Sequence, residues 1–165
     1  MDFATLKAEL INRADDESIS EANLIRWINM AYESVQSRYM WPWMISSTTD
    51  STVADQALYD LPSDYNKMLD LLVDGNRYGF IPYYRRNDVT WSNKYTIIDG
   101  QYKLYATPST SGSDNIALSY YMNKQSLVNA ADEPAFDSNF HEVLIYQGLV
   151  YYSEKERDLA EGSFF

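Results

Sequence analysis

Apolar residues recur at helical spacing at both ends of this chain, and that period is lost in the middle. This switch limits the possible folds more than any single motif does. Phe3, Leu6, Leu10, Ile11 and Ala14 form a helical stripe with Asp2 as its N-cap. The acidic run Asp15-Asp16-Glu17-Ser18 interrupts it as a loop. A second helix starts at Ser20, a good N-cap, with Ile19 and Leu24 placed to form a hydrophobic staple. Leu24, Ile28, Ala31 and Val35 form its stripe, broadened by Ile25, Tyr32 and Tyr39, and Pro42 is expected to end it. Near the other end, Phe140, Val143, Leu144, Gln147, Val150 and Tyr151 follow the same spacing after a cap at Asp137 or Ser138. Lys155 and Arg157 are expected to favour the dipole at that helix's C-terminus, and Gly162 to end it.

Between these ends, residues 44–121 are rich in Thr, Val, Ile and Tyr and punctuated by Gly, Pro, Asn and Asp, the composition of short strands and turns. Strands are expected at 44–53, 57–61 and 67–73, the last a nearly continuous apolar run suited to full burial. Asp74-Gly75-Asn76 turns the chain toward a returning strand at 77–83. Asp99-Gly100, between Tyr95-Thr96-Ile97-Ile98 and Gln101-Tyr102-Lys103-Leu104-Tyr105, has the sequence form of a two-residue type I′ hairpin. Residues 109–115 read as a polar loop and 116–122 as a strand, and 86–91 suggest one helical turn. The fold class is α+β, with N- and C-terminal helices packed together and an inserted antiparallel, sandwich-like β domain. The expected parts are a helical segment at 1–43, the β insert at 44–134, and a helix and tail at 135–165 that complete the helical part.

Composition narrows function mainly by exclusion. The chain has no cysteine, so disulfides, thiol catalysis and Cys-ligated metals are ruled out. A net charge of −11 repels phosphate backbones, and no apolar run is long enough to cross a bilayer. The aromatics are the unusual feature, with 15 tyrosines, 4 tryptophans and 6 phenylalanines, residue types suited to half-buried sheets, to interfaces and to carbohydrate-binding faces. The lone histidine, His141, reads as a surface or packing residue. No nucleophile elbow, phosphate loop, dinucleotide fingerprint or zinc helix motif occurs. Asp60, Asp64 and Asp70 are the nameable carboxylates for a hydrolase, although Asp64 is more simply a turn residue. Asp132-Glu133 and the 15–17 run read as solvated loop acids. Tyr83-Tyr84-Arg85-Arg86 is a basic-aromatic cluster, read as pairing with acids of a neighbouring strand or subunit.

Taken in order, these features resemble a known family. A helix of the form A-Y-x-x-V-x-x-R-Y, here Ala31 to Tyr39, leads into Trp41-Pro42-Trp43. Tyr59-Asp60-Leu61-Pro62-Ser63-Asp64-Tyr65 follows, then a hairpin ending at Thr107-Pro108 and the strand Leu118-Ser119-Tyr120-Tyr121. A final helix comes after Phe136-Asp137-Ser138-Asn139-Phe140-His141. This order resembles the head-to-tail adaptor (connector) proteins of tailed bacteriophages that carry a β domain between helices. The resemblance implies a structural virion protein made in the host cytoplasm and located at the head-tail junction. It implies a homo-oligomeric ring of twelve subunits between the portal protein and a tail or nozzle protein. DNA would pass through the lumen without specific binding, with no catalysis, no cofactor and no membrane. Trp41, Trp43, Tyr83, Tyr84, Arg85, Arg86, Phe164 and Phe165 are the residues singled out for partner contacts. Family members dock on the portal by a C-terminal helix or tail. Here little chain follows the last helix, so the anchor is either residues 162–165 or another surface. Two alternatives come from other classes: a carbohydrate- or cell-surface-binding β module, and a carboxylate-based hydrolase.

Overall fold

The computed structural model of the chain describes residues 1–87 and 92–162, with side chains of the last helix described to Arg157. The fold is α+β, and the described residues form three α-helices and eight strands in two sheets. It divides into two compact units, one of residues 1–43 and 124–165 and the other of residues 44–123. The sequence boundary at 134 therefore falls eleven residues beyond the contact boundary, because residues 124–134 have no strand and pack with the helices.

In the helical unit, α1 (Phe3–Ala14) begins where the Asp2 carboxylate accepts the Thr5 N–H at 2.8 Å. α2 (Glu21–Arg38) begins where the Ser20 hydroxyl accepts the Asn23 N–H, with Ile19 and Leu24 both buried. The chain leaves α2 at Tyr39, which is extended (φ −147°, ψ 161°), three residues ahead of Pro42. α3 (Glu142–Gly162) follows a single 3-10 turn, Ser138–Phe140, whose cap is the Asp137 carboxylate accepting the Asn139 N–H at 2.9 Å. Lys155 and Arg157 lie before the last turn of α3, so they do not occupy the dipole position expected of them. Phe3, Leu6, Leu10, Leu24, Trp27, Ile28, Ala31, Leu144 and Ile145 make the core. Gly148 lets α1 approach α3 closely, since a Cβ there would stand 3.2 Å from the Leu10 methyls.

The β unit is a pair of four-stranded sheets. The first has the order β1-β8-β3-β4, from β1 (Ile45–Thr52), β8 (Gly112–Met122), β3 (Tyr65–Val73) and β4 (Asn76–Arg77). The second has the order β2-β7-β6-β5, from β2 (Leu58–Asp60), β7 (Gln101–Tyr105), β6 (Lys94–Ile98) and β5 (Gly79–Phe80). All pairings are antiparallel except β5 with β6. Asp99 (φ 48°) and Gly100 (φ 78°) both have the positive φ that a type I′ turn needs. The core between the sheets is Tyr59, Tyr95, Tyr102 and Leu104 from one, and Leu71, Val73, Ile116, Leu118 and Tyr120 from the other.

Three strand expectations differ from the structure. β3 is half-buried and not enclosed: Leu71 and Val73 face the core, while Leu69 is 45% exposed. The returning strand at 77–83 is split. β4 pairs with β3, then the chain crosses to the second sheet as β5 and ends in a 3-10 turn, Tyr83–Arg85. β8 begins at Gly112, four residues early, because the Asn115 amide satisfies polar groups that a loop would have given to water. It accepts the Thr52 N–H and donates to the Thr52 hydroxyl and the Asp74 carboxylate, each at 2.9 Å. The helical turn expected at 86–91 lies largely outside the described residues.

Candidate interaction surfaces

The helical unit bears an aromatic surface built from the end of α2. The Trp41 indole N–H donates to the Val35 carbonyl at 2.8 Å, closing one of the carbonyls that α2 leaves open. Trp41 stacks on Trp43 (6.1 Å, 17°), and Trp43 on Tyr32 (6.5 Å, 16°). Phe136 packs against both Trp43 and Tyr32, and the Tyr32 hydroxyl accepts the Ala135 N–H at 3.0 Å. Beside this stack lies a cleft of about 400 Å³ lined by Val35, Trp41, Trp43, Phe136, Phe140 and Val143, with Asp137 at its edge. A second hollow, of about 320 Å³, shares Val35, Trp41 and Val143 and extends past Arg38, Tyr39 and Gln147.

α3 continues that surface. Val143, Tyr146 and Val150 are 46–57% exposed and lie on one side of the helix. The expected stripe had counted Val143 and Val150 as core. The buried face instead uses Leu144, Ile145 and Gly148, about one residue further round. α3 is thus apolar on two faces, one covered by α1 and α2 and one bare.

The second surface is cationic and lies in the β unit. Strand alternation turns Tyr95, Tyr102 and Leu104 to the core and Lys94, Thr96, Lys103 and Tyr105 to the other face of β6 and β7, which is itself partly covered: Thr96 is fully buried there and Lys94, Lys103 and Tyr105 are half-buried. Lys103 Nζ is 5.2 Å from the Tyr105 ring centre, and the Arg86 guanidinium is 3.9 Å from that of Tyr83. Burial pushes the Tyr105 phenol up, partly offset by the Arg86 charge. Tyr83 and Tyr84 are 49% and 78% exposed. Lys94 and Lys103 join this cluster through cross-strand register, which adjacency in sequence does not reveal.

The other singled-out residues have structural partners. Asp60 accepts from the Gln101 amide, Asp64 from the Tyr120 hydroxyl, and Asp70 from Arg77, at 2.8–2.9 Å. The three carboxylates thus each serve a separate bond within the β unit. His141 is buried with its Nε2–H donating to the Phe136 carbonyl at 2.9 Å, which leaves Nδ1 to accept from the Met1 amine. Asp132 takes the N–H groups of Val128 and Asn129, which hold its pKa below the usual carboxylate range. Tyr59, Tyr95, Tyr102 and Tyr120 are interior, so they form no sugar-binding platform. Among the described residues no group of three His, Cys, Asp or Glu is placed to hold a metal, and no helix is long and apolar enough to cross a membrane. Phe164 and Phe165 lie outside the described residues.

One device was not foreseen. Gln36, 3% exposed, donates to the Gln125 carbonyl and accepts the Gln125 N–H, both at 2.8 Å. One turn-pair earlier, Asn29 does the same to Leu127, at 3.0 and 2.8 Å. Two amides seven residues apart on α2 thus hold residues 125–127 as a neighbouring strand would. Their spacing was the signal available.

The described residues thus present two candidate contact faces, one aromatic and one cationic. A search of curated proteins returned no match. The chain belongs to the SU10 adaptor protein family, whose model it matches over residues 1–164, and it is a bacteriophage structural adaptor.

Proposed function

We propose that the protein assembles as a closed ring, twelve copies in number, joining the portal to the tail or its nozzle at the head-tail junction of the virion. The ring forms part of the channel through which DNA leaves and has no catalytic role. The observation that carries this reading, beside the family, is the bare aromatic surface of the helical unit. Trp41, Trp43, Phe140 and the outer stripe of α3 leave contiguous apolar area that protein contact would cover. In this reading the helical parts, residues 1–43 and 135–165, build the ring and face the portal, and the β insert faces the tail or the periphery. Trp41, Trp43, Tyr83, Tyr84, Arg85, Arg86, Phe164 and Phe165 contribute to partner contacts. The net charge of −11 supports an acidic lumen, where phosphates find no cations to exchange for their counterions.

Electron microscopy of the full chain with the portal protein of the same phage tests the assignment. A closed ring seated on the portal is the expected image. A persistent monomer that ignores the portal and binds glycans instead would overturn it.

A further inference from the structure

We infer that the cationic face of β6 and β7 docks on the helical unit of a second copy, at the acidic edge formed by Asp15, Asp16, Glu17 and Glu156. The inference rests on the ring reading and names the contact that would close the ring.

The first argument is the distribution of charge. The helical unit holds 15 acids and 7 cations, whereas the β unit holds 9 acids and 6 cations. Four of those six cations, Arg85, Arg86, Lys94 and Lys103, fall in the 3-10 turn, at its C-cap, and in β6 and β7. Five of the nine cations elsewhere face acids of their own unit: Lys7 meets Glu21, Arg13 meets Glu142, Arg77 meets Asp70, Lys124 meets Glu33 and Lys155 meets Glu156. Among the described residues Arg86, Lys94 and Lys103 have no such ion pair. They are half-buried on aromatic or glycine surface instead, around the fully buried Thr96. Arg86 covers the Tyr83 ring, Lys103 the Tyr105 ring, and Lys94 stands opposite Tyr105 in register. The Lys94 ammonium reaches over Gly79, where a Cβ would come within 2.8 Å of Nζ. Cations held on rings are already partly desolvated and ordered, which lowers what docking against a carboxylate costs.

The second argument is the counter-surface. The Asp15-Asp16-Glu17 loop and Glu156 meet around Tyr152, whose hydroxyl donates to Asp16 at 3.1 Å. Burial raises the Tyr152 pKa, and the charges of Asp16 and Glu156 add to that. Lys155 lies 3.9 Å from Glu156 and its charge also acts on Asp16, and Arg157 follows in sequence. Asp15, Glu17 and Glu156 are exposed and Asp16 is half-buried, four acids beside the cations Lys155 and Arg157. The two faces differ and complement each other, so the contact is heterologous, the kind that closes a ring, and like faces repel.

The test uses the full chain, alone and with its portal, followed by mass photometry and electron microscopy. Lys94→Glu with Lys103→Glu should weaken self-association by tenfold or more, the milder Lys94→Gln with Lys103→Gln should weaken it less, and both should leave the thermal midpoint near wild type. Glu17→Lys with Glu156→Lys should weaken association similarly. A chain carrying both reversals should recover it, which no merely structural role for these residues predicts. Assembly of either reversal at wild-type concentration, or no recovery in the combined chain, overturns this contact while leaving the ring intact. A wild-type chain that never assembles overturns the ring and this contact together. Salt-sensitive binding of a short DNA duplex that is lost in Lys94→Glu with Lys103→Glu, with self-association unchanged, would assign the face to polyanions and also overturn it.

Discussion

Replacing Gln36 with alanine should loosen residues 125–127 from α2 without disturbing the aromatic stack. Gln36 is 3% exposed and satisfies both backbone groups of Gln125 at 2.8 Å. Its removal orphans one N–H and one C=O, each costing about 1–3 kcal/mol if sealed from water. The Gln125 residue itself is exposed, so water recovers part of that cost, and the expected loss is about 1–3 kcal/mol in total. For a chain of this size that corresponds to a fall in thermal midpoint of roughly 2–12 °C. Gln36→Glu sharpens the test, because it keeps an acceptor for the Gln125 N–H but turns a carboxylate toward the Gln125 carbonyl. That carboxyl should titrate above the usual range, since its protonated form alone can donate. A raised folded-state pKa means stability is regained as pH falls through it. Gln36→Glu should therefore approach wild type in mild acid and be worst at neutral pH, whereas Gln36→Ala should show no such recovery. Amide exchange at Gln125 and Leu127 reads the clamp directly. Unchanged protection of both amides in Gln36→Ala, with an unshifted midpoint, would refute this account.

Four further outcomes follow from the packing. Trp41→Phe keeps the ring but removes the donor to the Val35 carbonyl; it should cost about 1 kcal/mol in chemical denaturation and blunt portal binding less than Trp41→Ala. Gly148→Val overpacks the 3.2 Å approach to Leu10 and should destabilise by about 1–3 kcal/mol, so a stabilised variant would contradict the described helix contact. Burial pushes Tyr95 up to about 12, so its proton stabilises the fold fully below about pH 10 and that contribution is lost as pH rises toward 12. Absorbance titration at alkaline pH should show Tyr95→Phe removing a late-ionising tyrosine. Asp132→Ala should lower the thermal midpoint at neutral pH, and its effect should shrink as pH falls below the ordinary aspartate pKa of about 3.9 and through the depressed folded-state one, because the carboxylate loses its advantage as it protonates.

Much of this fold could be read locally. Asp2 and Ser20 cap the helices they precede, and Asp99-Gly100 turns where two adjacent positive φ values are needed. The parts that escaped depend on what lies across from a residue. Val143 and Leu144 are both apolar and adjacent, and no periodicity says which enters the core and which stays exposed. Gln36 looks like a surface amide until residues 125–127 arrive against it. The passage from β4 to β5 is a change of sheet within Arg77-Tyr78-Gly79, and composition carries no record of sheet membership. Trp41 and Trp43 are conspicuous in sequence, yet Phe140 and Lys103 acquire their neighbours only through tertiary register.

The Leu10–Gly148 contact also sets an order of events during synthesis. It joins positions 138 residues apart, so the helical unit is a loop closure whose entropic cost falls once the intervening β unit has collapsed on its own. The aromatic cleft needs residues 35–43 from before that insert and residues 136–143 from after it. A chain still on the ribosome with only its first two helices and its sheets has no cleft to offer. The cleft therefore cannot form until the last helix has been made, so incomplete chains lack it.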